Sequence, residues 1–86
     1  MRVISQDRCI DVNYDNVILY VGYPNEDGYP VYIDGHEDLV MATYSSEEAA
    51  KYELHQVCIY YAADLKRYIF PSREESIGER TFAKED

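Results

Sequence analysis

The stretch from Ser45 to Tyr68 constrains this chain more than any other. Ser45 stands three residues ahead of Glu48, the spacing of a capping box that opens a helix. Glu47 and Glu48 place negative charge where the helix dipole is positive. Ala50, Leu54, Val57, Cys58, Tyr61, Leu65 and Tyr68 then recur at helical spacing and form one apolar face. The pattern predicts a helix over residues 46–67, broken before Pro71. Its apolar face must be covered by another layer.

The residues ahead of the helix supply that layer. Residues 2–6, 9–13, 16–22, 29–34 and 38–44 read as short strands, with Val17-Ile18-Leu19-Tyr20-Val21 the densest β-branched and aromatic run. Pro24-Asn25-Glu26-Asp27-Gly28 and Asp34-Gly35 have turn chemistry: proline fixes φ and glycine supplies a positive one. Connections this short favour antiparallel neighbours. The expected fold is α+β: an antiparallel sheet of four or five short strands with one long helix packed on one face. At 86 residues the chain has length for one domain, placed at residues 1–70. Residues 71–86 form a charged C-terminal tail, in which Ser72 and Glu75 cap a short turn ending at Gly78, and Ile77 and Phe82 dock on the domain.

The charge is unevenly laid out. The formal net charge is −9, and no Lys or Arg occurs between Arg8 and Lys51. That interval holds Asp11, Asp15, Glu26, Asp27, Asp34, Glu37, Asp38, Glu47 and Glu48, while the remainder of the chain nearly balances. Such a field repels the phosphate backbone, so direct nucleic-acid binding is not expected. It attracts basic protein surfaces and speeds encounter with them. Tyr20, Tyr23, Tyr29 and Tyr32 fall in the same interval and offer rigid amphipathic contact area.

No apolar run is long enough for a membrane span, and the N-terminus is too polar for a signal peptide. A cytoplasmic protein with reduced thiols is therefore expected. Cys9, His36, His55 and Cys58 are all the Cys and His residues present, and four is the number that a structural zinc site takes. His55 and Cys58, three apart on the helix, could chelate one ion from neighbouring positions. The other reading makes Cys58 a small core hydrophobe and leaves no metal, so the cofactor expectation is none or a single structural zinc. Tyr52, Ile59 and Ala63 form a second stripe on the back of the helix, and Tyr52 with Ile59 is a candidate self-association face for a homodimer.

Catalytic chemistry finds no foothold. The four glycines are scattered through turns rather than gathered in a phosphate loop. A Cys58–His55 nucleophile pair lacks a third orienting group. The carboxylates have no EF-hand spacing. The chain reads as a non-enzyme.

The run Met1-Arg2-Val3-Ile4-Ser5-Gln6-Asp7, the residues Ile10-Asp11-Val12 with Tyr14 and Asn16, and the run from Ala42 to Ala49 resemble small phage and prophage proteins of Gram-positive bacteria. Those proteins tend to carry Gly-Thr where this chain has Arg8-Cys9. The resemblance implies a mobile-element protein acting in a bacterial host cell, and it carries over no catalytic residue. With the acidic interval, it leads to the expectation of an anti-CRISPR-like inhibitor that occludes a host protein with a basic nucleic-acid-binding surface. Asp11, Asp15, Glu26, Asp27, Asp34, Glu37 and Asp38 would meet the basic cluster, with the four tyrosines supplying contact. The alternatives are a self-associating phage structural or housekeeping module, a zinc-stabilised adaptor, and an enzyme acting on a small signalling molecule.

Overall fold

The computed structural model describes residues 1–82, with Phe82 by its backbone alone. The elements run β1 (Arg2–Ile4), β2 (Asp11–Asn13), a single 3₁₀ turn (Tyr14–Asn16), β3 (Leu19–Val21), β4 (Tyr29–Ile33), β5 (His36–Tyr44), α1 (Glu47–Ala62), β6 (Arg67–Ile69) and α2 (Ile77–Phe82). The fold is α+β, as its sequence pattern predicts, but the strands divide between two three-stranded sheets rather than joining one. One sheet is the antiparallel meander β3-β4-β5. The other has the order β2-β1-β6, with β1 antiparallel to β2 and parallel to β6. A parallel neighbour requires a long crossover, and here everything between β1 and β6 provides it. The sheets meet where the chain leaves β1: the Gln6 N–H donates to the Met41 carbonyl over 2.7 Å.

The inner faces follow strand alternation. Val31 and Ile33 of β4, and Ala42 and Tyr44 of β5, are buried beneath α1, whose Ala49, Ala50 and Val57 are buried against them. Val3 stands opposite Tyr68 in the parallel pair, and Phe70 follows it into the core. Each of the larger aliphatic or aromatic side chains among them, such as Val3, Val31, Ile33, Val57 and Phe70, contributes about 1.5–3 kcal/mol of apolar burial. β5 departs from regular pairing. Val40 faces Tyr32 and Ala42 faces Val31, so Met41 is an extra residue, and it is fully buried.

The helix begins one residue later than its sequence pattern predicts. Ser46, not Ser45, is the N-cap and accepts the Ala49 N–H at 3.0 Å. Ser45 instead donates its N–H and hydroxyl to Glu79. The helix also ends at Ala62, short of Arg67. Leu65 donates to the Tyr60 carbonyl and Asp64 to the Tyr61 carbonyl, each over 3.1 Å, with Asp64 at φ 60°. This is a Schellman stop with aspartate in the left-handed position that glycine usually fills. Residues expected on the last turn therefore form β6.

The buried face of α1 is correspondingly displaced. Ala49, Ala50, Glu53 and Val57 are buried, Leu54 is partly so, and Cys58, Tyr61 and Leu65 are exposed. The reason is α2, which packs on α1 from the side of Glu53. Gly78 makes that approach close: a Cβ there would lie 3.1 Å from the Ala49 carbonyl oxygen and from the Tyr52 ring. Ser72 and Glu75 do pair, Ser72 Oγ donating to Glu75 Oε1 over 2.9 Å, but the turn they close precedes α2. Gly78 lies within α2 rather than ending a turn, and Ile77 is largely exposed rather than docked. The expected docking of Phe82 falls outside the described side chains, and residues 83–86 of the expected tail outside the described residues.

Candidate functional site

The outer face of the β3-β4-β5 sheet, turned away from α1, concentrates aromatic and acidic groups. Antiparallel register sets Tyr20 opposite Tyr32, and their rings lie 5.8 Å apart at 54°. Cross-strand aromatic pairs of this kind add to the stability of the strand pairing. Gly22 leaves the space that the Tyr32 ring occupies, since a Cβ there would come within 2.4 Å of it. Val40 stands opposite Tyr32 and remains 40% exposed. Ile18 and Leu39 are also exposed, and Tyr23 is almost fully so. Tyr29 lies elsewhere, half-buried against the core.

Acids frame this face at the β4–β5 turn. Asp34, Glu37 and Asp38 are exposed, and no ion pair reaches them among the described residues. Glu37 accepts the Gly35 N–H over 2.9 Å, which holds its carboxylate at the turn. Partial withdrawal from water raises the Tyr20 hydroxyl above its ordinary pKa, and the nearby Glu37 and Asp34 carboxylates push it the same way. Tyr20 thus presents a neutral hydroxyl beside a cluster of negative charge.

The other acids of the basic-free interval are placed differently. Asp11 pairs with Arg2 at 2.8 Å and Glu47 with Lys51 at 2.6 Å. Asp15 accepts the Tyr61 hydroxyl over 2.5 Å and lies 4.0 Å from the N-terminal amine. Glu26 and Asp27 sit on the β3–β4 turn. There Arg73 folds back and donates to the Asp27 carbonyl and, over 3.2 Å, to the Thr43 carbonyl. A stretch without basic residues in sequence therefore receives one in space. No ion pair among the described residues brings a basic group to the β4–β5 turn.

The four residues expected at a zinc site are not brought together. Among the described residues, no group of three or more His, Cys, Asp or Glu side chains could hold a metal ion. Cys58 is exposed, and its sulfur meets the Tyr14 hydroxyl at 3.6 Å. That contact, with partial burial behind it, pushes Tyr14 up to about 12. Cys9 is exposed in the turn after β1, where its N–H donates to Asp7 Oδ1 over 2.9 Å. The Ser5 hydroxyl, first, and this Cys9 N–H lower the Asp7 pKa. His36 opens β5 and His55 lies on the exposed side of α1. Of the expected self-association pair, Ile59 is 45% exposed, whereas Tyr52 is half-buried beside α2.

One polar cluster lies outside every sequence expectation. Glu53 is 3% exposed and accepts the Tyr68 hydroxyl over 2.8 Å and the Ser76 hydroxyl over 2.5 Å. It joins α1, β6 and the start of α2, and the two donors offset the cost of burying a carboxylate. Its position among Ala49, Ala50 and Val57 at helical spacing was the available signal.

No family model matches the chain, and neither does any curated protein or solved structure. No helix among the described residues is long and apolar enough to cross a membrane.

Proposed function

We propose that this protein is a non-enzymatic binding module that covers a basic, nucleic-acid-handling surface on another protein, an inhibitory role that fits the resemblance of its sequence to small phage and prophage proteins. The observation that carries the reading is the coincidence of Asp34, Glu37 and Asp38, exposed and without ion pairs among the described residues, with the half-buried Tyr20–Tyr32 pair and the exposed Ile18 and Val40 beside it. Carboxylates there meet lysine and arginine clusters that otherwise hold phosphates, and the tyrosines supply rigid contact that excludes water from the charge pairs. The mechanism is occlusion. The module occupies the partner's phosphate-binding surface and bonds to no nucleic acid itself, because its field repels the backbone.

Affinity capture from a bacterial lysate, at low and at raised salt, tests this reading. The expected result is recovery of nucleic-acid-binding proteins that are released as salt rises. Capture of no such protein, or capture indifferent to salt, contradicts it.

A further inference from the structure

β3 is the outermost strand of its sheet, with β4 on one side and no strand on the other. Two hydrogen bonds fix which way its main chain points. Gly22 donates to the Pro30 carbonyl and Asp34 donates to the Ile18 carbonyl, each over 2.8 Å. Residues 18, 20 and 22 thus turn their main-chain groups toward β4. In an antiparallel ladder the alternate residues point the opposite way, so Leu19 and Val21 direct their N–H and C=O groups along the free edge. Leu19–Val21 carries no charge, no proline and no bulge in its pairing with β4, three of the devices that close an edge to further strands.

A groove of about 410 Å³ runs beside this edge. Tyr20, Val21, Gly22, Tyr23 and Pro24 form one bank, and Glu47 and Lys51 of α1 form the other. Lys51 is already engaged by Glu47 at 2.6 Å, so the bank adds no free positive charge. The outer face next to the edge carries Tyr20, Tyr32 and the acidic β4–β5 turn.

We propose that the β3 edge takes up an extended, lysine- or arginine-bearing segment of the partner as a fourth strand of this sheet. This inference rests on the acidic-module reading above and gives that reading an address. Main-chain bonds to Leu19 and Val21 hold the segment. Its side chains alternate, so one set enters the groove while the next reaches over Tyr20 toward Asp34 and Glu37. Charge complementarity selects the occupant. A second copy of this chain brings another formal −9 to the same edge, and the like charges oppose pairing.

The test titrates the protein at low salt with a capped peptide of alternating lysine and valine, following amide exchange and chemical shifts residue by residue. The expected result is that the Leu19 and Val21 amides gain about tenfold protection, while that of Tyr20, already paired with β4, changes little. N-methylation of alternate peptide residues keeps the charge and is expected to abolish the protection. Val21→Pro removes an outward N–H without touching the β4 ladder and is expected to weaken binding about tenfold; the protection measured on the unaltered chain stands whether or not this variant folds. Shifts confined to the acidic turns, with no protection at Leu19 and Val21, overturn strand addition while leaving the acidic reading intact. A β3–β3 homodimer also overturns it, and absence of any binding removes both.

Discussion

Gln6 grips the main chain of Thr43 from both sides: its side-chain amide donates to the Thr43 carbonyl over 3.3 Å and its carbonyl accepts the Thr43 N–H over 3.1 Å. The same amide donates to the Pro71 carbonyl over 3.0 Å. One side chain thereby closes the outer edge of β5, ties the two sheets together and anchors the chain as it leaves the core. Gln6→Ala is expected to cost about 2–3 kcal/mol, because the partners lose these bonds while partly withdrawn from water. Urea unfolding measures this; a loss within experimental scatter of zero contradicts the role.

The buried hydroxyls make stability depend on alkaline pH. Burial, first, and then the Glu53 carboxylate raise Tyr44 and Tyr68 above the ordinary tyrosine value of 10.0. Tyr44 also donates to the Pro71 carbonyl over 2.8 Å. The folded pKa exceeds the unfolded one, so the unfolded chain releases these protons first. Stability is therefore fully present below about pH 10 and falls above it, by about 1.4 kcal/mol per pH unit for each of the two. Urea midpoints across a pH series, with tyrosinate absorbance as a second probe, check the sign. A midpoint that stays flat well above pH 10 contradicts it.

The helix termini respond in opposite directions. Asp64 occupies φ 60° at the end of α1, where a Cβ crowds the backbone. Asp64→Gly is expected to raise stability by up to about 1 kcal/mol. Ser46→Ala removes the acceptor of the Ala49 N–H and is expected to lower it by about 1 kcal/mol. Thermal or urea unfolding of the two variants side by side gives the signs.

Much of the local structure was legible because turns and caps act over a few residues. The Pro24–Gly28 and Asp34-Gly35 signals delimit the hairpins, and four of the five expected strands enclose an observed one, while β5 starts two residues earlier, at His36. What stayed hidden depends on residues far apart. Leu65 and Tyr68 continue the helical spacing past Asp64, and no glycine announces the stop, so β6 reads as helix. Its parallel pairing with β1 depends on contacts across nearly the whole described chain. Glu53 sat at a core position by spacing, yet its donors Tyr68 and Ser76 lie 15 and 23 residues away. Acidic composition located the candidate surface coarsely. Only the fold shows that Arg73 moderates one turn and leaves the other bare.

Gly22 keeps the aromatic face in shape. Gly22→Ala is expected to drive the Tyr32 ring off Tyr20, at a cost of about 1–2 kcal/mol. Chemical shifts of the two rings together with unfolding read both effects. Unchanged ring shifts would show that the pair does not depend on the missing Cβ.

Competition is the most direct measure of occlusion. A captured partner is loaded with labelled nucleic acid, and the protein is added in increasing amounts. The unaltered chain is expected to displace the label, with potency falling as salt rises. The double variant Asp34→Lys, Asp38→Lys, whose carboxylates make no hydrogen bond among the described residues, is expected to need at least about tenfold more protein. Equal displacement by both chains, or a complex that holds partner, nucleic acid and this protein together, would contradict the account.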